Sequence, residues 1–226
     1  MGDGERDNSG HRGRLRARLL ADADGLLDHE LLEYLLMLAI PRVDTKPMAK
    51  ALLDEFGGLA PLLAADAGSL TRVPRVGEAG AAAIRIVQAA AARMLRDAVV
   101  GRPVLASWQA LLDYLRADMA HLAIERVRVL HLNGKNVLIR DEVMAEGSID
   151  QAAVQVREVL RRALELGSAA LILVHNHPSG DPQPSKADIT LTRDIIEAGR
   201  RLGIAVHDHV IMGAAGHASL RSLGLI

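Results

Sequence analysis

Between Ala169 and Val174 the chain runs through six apolar residues without interruption, and it then meets His175-Asn176-His177-Pro178. A short run rich in Ile, Leu and Val, bounded by turn residues, reads as a strand buried on both faces. Side chains alternate along a strand, so His175 and His177 share one side and Asn176 takes the other. Pro178 stops the ladder, and Pro178-Ser-Gly-Asp-Pro-Gln-Pro184 is a loop. Ser185 has the character of a helix N-cap, with a helix running on through Thr190, Ile195, Ile196 and Ala198. Asp188 falls in the first turn of that helix and can face back toward the strand end.

Two imidazoles on one side of a strand and one carboxylate form a set of three metal donors. Zinc held by three protein side chains keeps a fourth position for water, and the pKa of that water drops to about 7. Thiolate ligands are excluded, because the chain has no cysteine. Ser185-x-x-Asp188 is also the pattern of a capping box, and the two roles can coexist. A zinc water needs a partner for its proton. Glu125, Asp141, Glu142, Glu146, Glu158 and Glu165 are the candidates in the second half, and spacing does not choose among them. A second His-x-His, His207 and His209, has only Asp208 beside it. Asp208 points to the opposite side of a strand, so a structural or ligand-supporting role is expected there.

The chain has 226 residues, room for one large domain or two small ones. Half of the residues are hydrophobic but only 2% are aromatic, so the core must be built from Leu, Ala, Val and Ile. A net charge of −1 argues against a chain-wide nucleic-acid footprint. No apolar run approaches the roughly 18 residues of a membrane helix, and the polar, Gly-rich start lacks an apolar targeting segment. A cytoplasmic protein without membrane contact is expected.

Residues 1–10 are expected to be disordered. Arg12, Arg14, Arg16 and Arg18 read as a solvated helix face. Helices are predicted over 26–40, 46–56, 59–65 and 69–72, and an alanine-rich helix ends near Arg96. Ala98-Val-Val-Gly-Arg-Pro103 marks a boundary. Beyond it come a helix capped by Ser107, a strand from Glu125 to Leu132, a turn at Asn133-Gly134-Lys135-Asn136, and a strand from Val137 to Met144. A loop is expected over 145–148 and a helix over 151–166. After the histidine stretch and its helix, 203–212 is a further strand, and the tail from Ala218 is short. This order gives a mixed α/β sheet flanked by helices.

Two resemblances add to this reading. Val73-Pro-Arg-Val-Gly77, with the helices around it (roughly residues 55–95), resembles a helix-hairpin-helix module, whose hairpin amides meet a DNA phosphate. Arg75 stands where that family has its first hairpin glycine. The stretch His175-x-His177, seven residues, Ser185, two residues, Asp188 resembles the JAMM motif of MPN-domain metalloproteases. More narrowly, His-Asn-His-Pro-Ser-Gly, Pro-Ser-x-x-Asp-Ile and the later Asp208-His209 resemble the bacterial RadC family over about residues 104–226. Gly57-Gly-Leu-x-x-Leu-Leu-Ala-Ala-Asp66 is similar to the helical region that precedes the domain in that family.

The resemblance implies an MPN-like α/β domain over 104–226, after a small all-α domain over 1–100. It implies one zinc per chain, held by His175, His177 and Asp188. It makes Glu125 the general base and then the general acid, and Ser185 the group that stabilises the oxyanion at the attacked carbonyl. The implied activity is hydrolysis of a peptide or isopeptide carbonyl by a zinc-bound water, on a peptide or protein substrate. The family name also carries a DNA-repair association. The alternative is therefore a DNA-binding or DNA-processing factor with a structural metal, making a weak, salt-sensitive DNA contact through the N-terminal domain. A third reading is a metal-stabilised protein-interaction module. The chain departs from the family at Gly147-Ser148, usually Gly-Thr, and at Val156-Arg157-Glu158, usually Pro-Arg-Glu. It also lacks the phenylalanine often found after Ser219.

Overall fold

A computed structural model describes residues 3–147 and 154–226. They form two compact units, 1–90 and 91–226. The first unit is helical: α1 (Asp3–Ala21), α2 (Asp28–Ala39), α3 (Lys46–Phe56), α4 (Leu59–Ala64), α5 (Ala67–Arg72) and the start of α6 (Gly77–Asp97). Its core is aliphatic, as a chain poor in aromatics requires: Leu32, Leu36, Leu52, Leu62, Leu70 and Ile84 are fully buried together. Gly57 closes α3 at φ 74, a left-handed cap that glycine adopts without strain.

The disorder expected over residues 1–10 is not what the described residues show, since α1 begins at Asp3. Leu15 is buried against Tyr34 and Met37 of α2, His11 meets Glu33 at 2.8 Å, and Arg18 bonds Glu30 at 2.9 Å. A helix fixed at those points lengthens at small cost, because propagation is easier than nucleation. Arg12, Arg14, Arg16 and Arg18 are exposed, as a solvated face requires.

In the second unit a 3-10 turn (Val104–Ser107) leads into α7 (Trp108–Met119). Then come β1 (Glu125–Leu132), β2 (Leu138–Gly147), α8 (Val156–Glu165), β3 (Ala170–Asn176), α9 (Lys186–Arg201), β4 (Ala205–Gly213) and β5 (Gly216–Ser219). Among the described residues the strands form a five-stranded mixed sheet in the order β2-β1-β3-β4-β5. β3 runs parallel to β4, and the remaining neighbours are antiparallel.

β3 is buried along its whole length, because helices cover both faces of the sheet. Ala170, Ile172 and Val174 pack with Leu111, Leu115 and Met119 of α7. Leu171 and Leu173 pack with Val159 and Ala163 of α8 and Ile195 of α9. This is the mixed α/β sheet flanked by helices that the order of elements predicts, with the helical unit before it in the chain.

Two boundaries differ from expectation. The loop expected over 145–148 is strand as far as Gly147, because β1 supplies partners up to Glu125↔Gly147. The helix expected from 151 starts at Val156, with Gln155 before it in extended backbone; 151–153 and the departure at Ser148 lie outside the described residues. No helix among the described residues is long and apolar enough to cross a membrane.

Candidate metal centre

The site forms where β3 ends. His175 is the sixth residue of β3 and 2% exposed, on the face shared with Leu171 and Leu173. His177 lies just beyond the strand, and its backbone N–H still bonds Met212 O of β4 at 2.9 Å. The expected alternation holds, since the Nε2 atoms of His175 and His177 are 3.0 Å apart. Asp188 comes from the first turn of α9. Its Oδ1 is 3.4 Å from His175 Nε2, and its Oδ2 is 3.8 Å from His177 Nε2. One donor atom from each of the three lies within 4.8 Å of the others.

The cap and the site share one carboxylate. Asp188 Oδ2 accepts from the Ser185 backbone N–H at 2.7 Å and from the Ser185 hydroxyl at 2.6 Å, which completes a capping box. Oδ1 is left to face His175. The helix start thus aims the carboxylate, with one oxygen in the cap and the other facing His175.

Burial pushes the His175 imidazole well below its usual range, with Asp188 opposing. Burial raises the Asp188 carboxyl, but His175 and the two Ser185 bonds outweigh it and hold the group low. Near neutral pH His175 is therefore an uncharged imidazole and Asp188 a carboxylate, the forms in which these two groups bind a divalent cation. His177 Nδ1 donates to Asp181 O at 2.8 Å, which leaves its Nε2 lone pair for the site. The residues present fit a metal with nitrogen and oxygen ligands.

Glu125 reaches the same place by register. Val127 pairs with His175 across the antiparallel β1–β3 ladder, and extending that register by two places sets Glu125 opposite His177. Burial raises the Glu125 carboxyl above the ordinary glutamate range. The charges of His177 and Asp188 also act on it, the first lowering it and the second raising it. Asp141 and Glu142 serve elsewhere: Asp141 bonds Arg128 and Tyr114, and Glu142 bonds Arg162. Glu146 bonds Arg126, Glu158 bonds Arg161, and Glu165 bonds Arg161 and Arg162.

Three more residues support the site, two of them given no role by the sequence. Asn176, between the two histidines, is fully buried on the opposite face. Its Oδ1 accepts from Arg126 N at 2.9 Å, and its Nδ2 donates to Ile124 O at 3.0 Å, so it fastens the segment that carries Glu125. His209 lies 2.8 Å from His175 Nδ1, and Thr192 lies 2.6 Å from His209. Burial pushes the His209 imidazole down to about 3, so it is uncharged.

A register shift in the β3–β4 ladder brings His209 there. Val206 pairs with Leu171 and His209 with Leu173, so the strand carries one extra residue between them and both side chains reach the same face. His207 does not join the site; its Nε2 meets Asn136 Oδ1 at 2.6 Å. Asp208, on the far face as expected, accepts from His209 N, the Ser219 hydroxyl and Arg221 N, holding the tail against β4.

Comparison with known proteins agrees with this geometry. Residues 105–225 match the family described as RadC-like JAB domain. A protein of Rhodobacter capsulatus named UPF0758 protein is 52% identical over 213 residues, covering 94% of this chain and 100% of that protein. The strand-end histidines, the capped aspartate and the similarity along nearly the whole chain have one account: the chain belongs to the RadC family of JAB-domain proteins.

Proposed function

We propose that the chain is a zinc-dependent hydrolase of peptide or isopeptide bonds. The observation that supports this reading is the β1–β3 register, which, extended two places beyond Val127↔His175, brings Glu125 beside His177. His175, His177 and Asp188 would hold the zinc, which supplies Lewis acidity that acidifies a water and polarises a carbonyl. The raised Glu125 carboxyl is suited to take a proton from water and return it to a leaving amine, since a base works best with a pKa near the working pH. Ser185 would donate to the carbonyl oxygen as charge develops there. Its hydroxyl proton is directed at Asp188 Oδ2, so that donation needs a rotation of the hydroxyl.

A peptide and isopeptide library incubated with zinc-loaded protein tests the reading, with Glu125→Gln as the control. Cleavage by the wild type that is lost in the variant is expected. No cleavage of any member, or equal cleavage by both, would overturn it.

One observation favours a second reading, a weak DNA contact by the helical unit. Arg75 adopts φ 72, the conformation of the glycine it replaces, and Gly77 follows at φ 57, so the backbone bend between α5 and α6 survives the substitution. Titration of duplex DNA at low and moderate salt decides this. Binding that weakens steeply with salt is expected, and salt-independent binding would exclude a phosphate contact.

A further inference from the structure

We propose that Thr192 and His209 are positioning residues that hold His175 in the tautomer able to bind metal. The inference rests on the reading of His175, His177 and Asp188 as a metal centre, and it follows from counting protons along one hydrogen-bonded chain. The Asp188 backbone carbonyl can only accept, so Thr192, with Oγ1 at 2.5 Å, must donate its hydroxyl proton there. That proton is then spent, and toward His209 Nδ1, at 2.6 Å, Thr192 can only accept. His209 Nδ1 therefore carries the proton. His209 is 1% exposed and no carboxylate among the described residues lies within ion-pair distance of it, so the ring has one proton and its Nε2 is an acceptor. His175 Nδ1, at 2.8 Å, must supply the hydrogen. His175 Nε2 is left as a bare lone pair, and that atom faces His177 Nε2 and Asp188 Oδ1.

A single backbone carbonyl thus sets the protonation of a side chain three bonds away. The carbonyl belongs to Asp188, itself one of the cluster. α9 therefore supplies the carboxylate and, through Thr192, also orders the histidine across from it. His177 is set separately by the Asp181 carbonyl. The two imidazoles are ordered by different segments, His175 by α9 and β4 and His177 by the loop before α9, and the His175 arm is completely enclosed: Thr192 is fully buried and His209 is 1% exposed. Water cannot replace a lost partner there, and the order of protons depends on Thr192 alone. Without its hydroxyl, His209 can move its proton to Nε2 and donate to His175 Nδ1. The His175 proton then sits on Nε2, in the way of a cation.

The test uses the full chain and three variants: Thr192→Val, close in shape but without the hydroxyl, Thr192→Ser, which restores it, and His209→Leu. Nitrogen-15 correlation spectra of the histidine rings in metal-free protein read the tautomers directly. The wild type and Thr192→Ser should show His175 protonated on Nδ1, and Thr192→Val a shift toward Nε2–H. Zinc affinity, measured by competition with a chromophoric chelator, should fall about 10–100-fold in Thr192→Val and His209→Leu and stay within about threefold in Thr192→Ser. His175 protonated on Nε2 in the wild type would overturn the proposal, as would Thr192→Val binding zinc like the wild type. If the wild type takes up no zinc, the metal reading fails while the ring spectra still decide the tautomer. If a variant does not fold, the wild-type spectrum alone decides it.

Discussion

Replacing Asn176 by alanine should loosen the strand that carries Glu125 while leaving the ligands in place. The β1–β3 ladder pairs Val127 with His175, and the Asn176 carboxamide takes the next amide, Arg126 N, at 2.9 Å. The same side chain donates to Ile124 O at 3.0 Å and to Leu122 O at 3.4 Å. An enclosed N–H deprived of its acceptor costs about 1–3 kcal/mol. Ile124 is 42% exposed, so water can replace the amide there, and the two carbonyls add about 1 kcal/mol together. The expected loss is about 2–4 kcal/mol.

Trp108 is the sole tryptophan and packs against the core of this unit, so its fluorescence in a urea titration reports the relevant transition. Exchange of the Arg126 amide should quicken by about 30-fold or more, the factor that 2 kcal/mol represents. Zinc affinity should stay close to wild type, since His177 N remains bonded to Met212 O. A loss below about 0.5 kcal/mol with unchanged Arg126 exchange would refute the clamp, because surface substitutions already give that much.

Gly213→Ala should weaken zinc binding without touching a ligand: an added Cβ would lie 2.8 Å from the Gly180 carbonyl carbon and 3.1 Å from Pro182 N, pushing away the loop whose Asp181 carbonyl fixes His177. Chelator competition checks this, and unchanged affinity would show that the loop yields freely. Glu125→Gln should keep zinc and lose about 10²–10⁴ in rate on any substrate found, as measured at matched zinc occupancy. Because the folded pKa of Glu125 is raised, its ionisation opposes folding once pH passes the unfolded value. The metal-free Glu125→Gln protein should therefore be at least as stable as wild type at neutral pH and lose that advantage in acid, a comparison that urea titrations at two pH values make. Removing metal with a chelator should lower the melting temperature of the second unit and leave that of the helical unit unchanged; a shared shift would contradict a site confined to the second unit.

The strand–loop–helix that holds the donors is local, and the sequence determined it. The apolar run, Pro178 and the Ser185 cap lie within twenty residues, and alternation and capping are near-neighbour effects that no distant partner has to approve. The same holds for the aliphatic helices of the first unit. The tertiary structure decided what depends on pairing between segments far apart in the chain. Six carboxylates in the second half looked alike until the β1–β3 register set one of them opposite His177 and arginines took the others. Plain alternation along β4 puts Val206 and Asp208 on one face; the extra residue in its pairing with β3 separates them and turns His209 toward His175. A register slip by one residue exchanges the faces of a strand. Its position is set by the hydrogen-bonded ladder and the packing of both faces, and neither is written in the spacing of histidines along the chain.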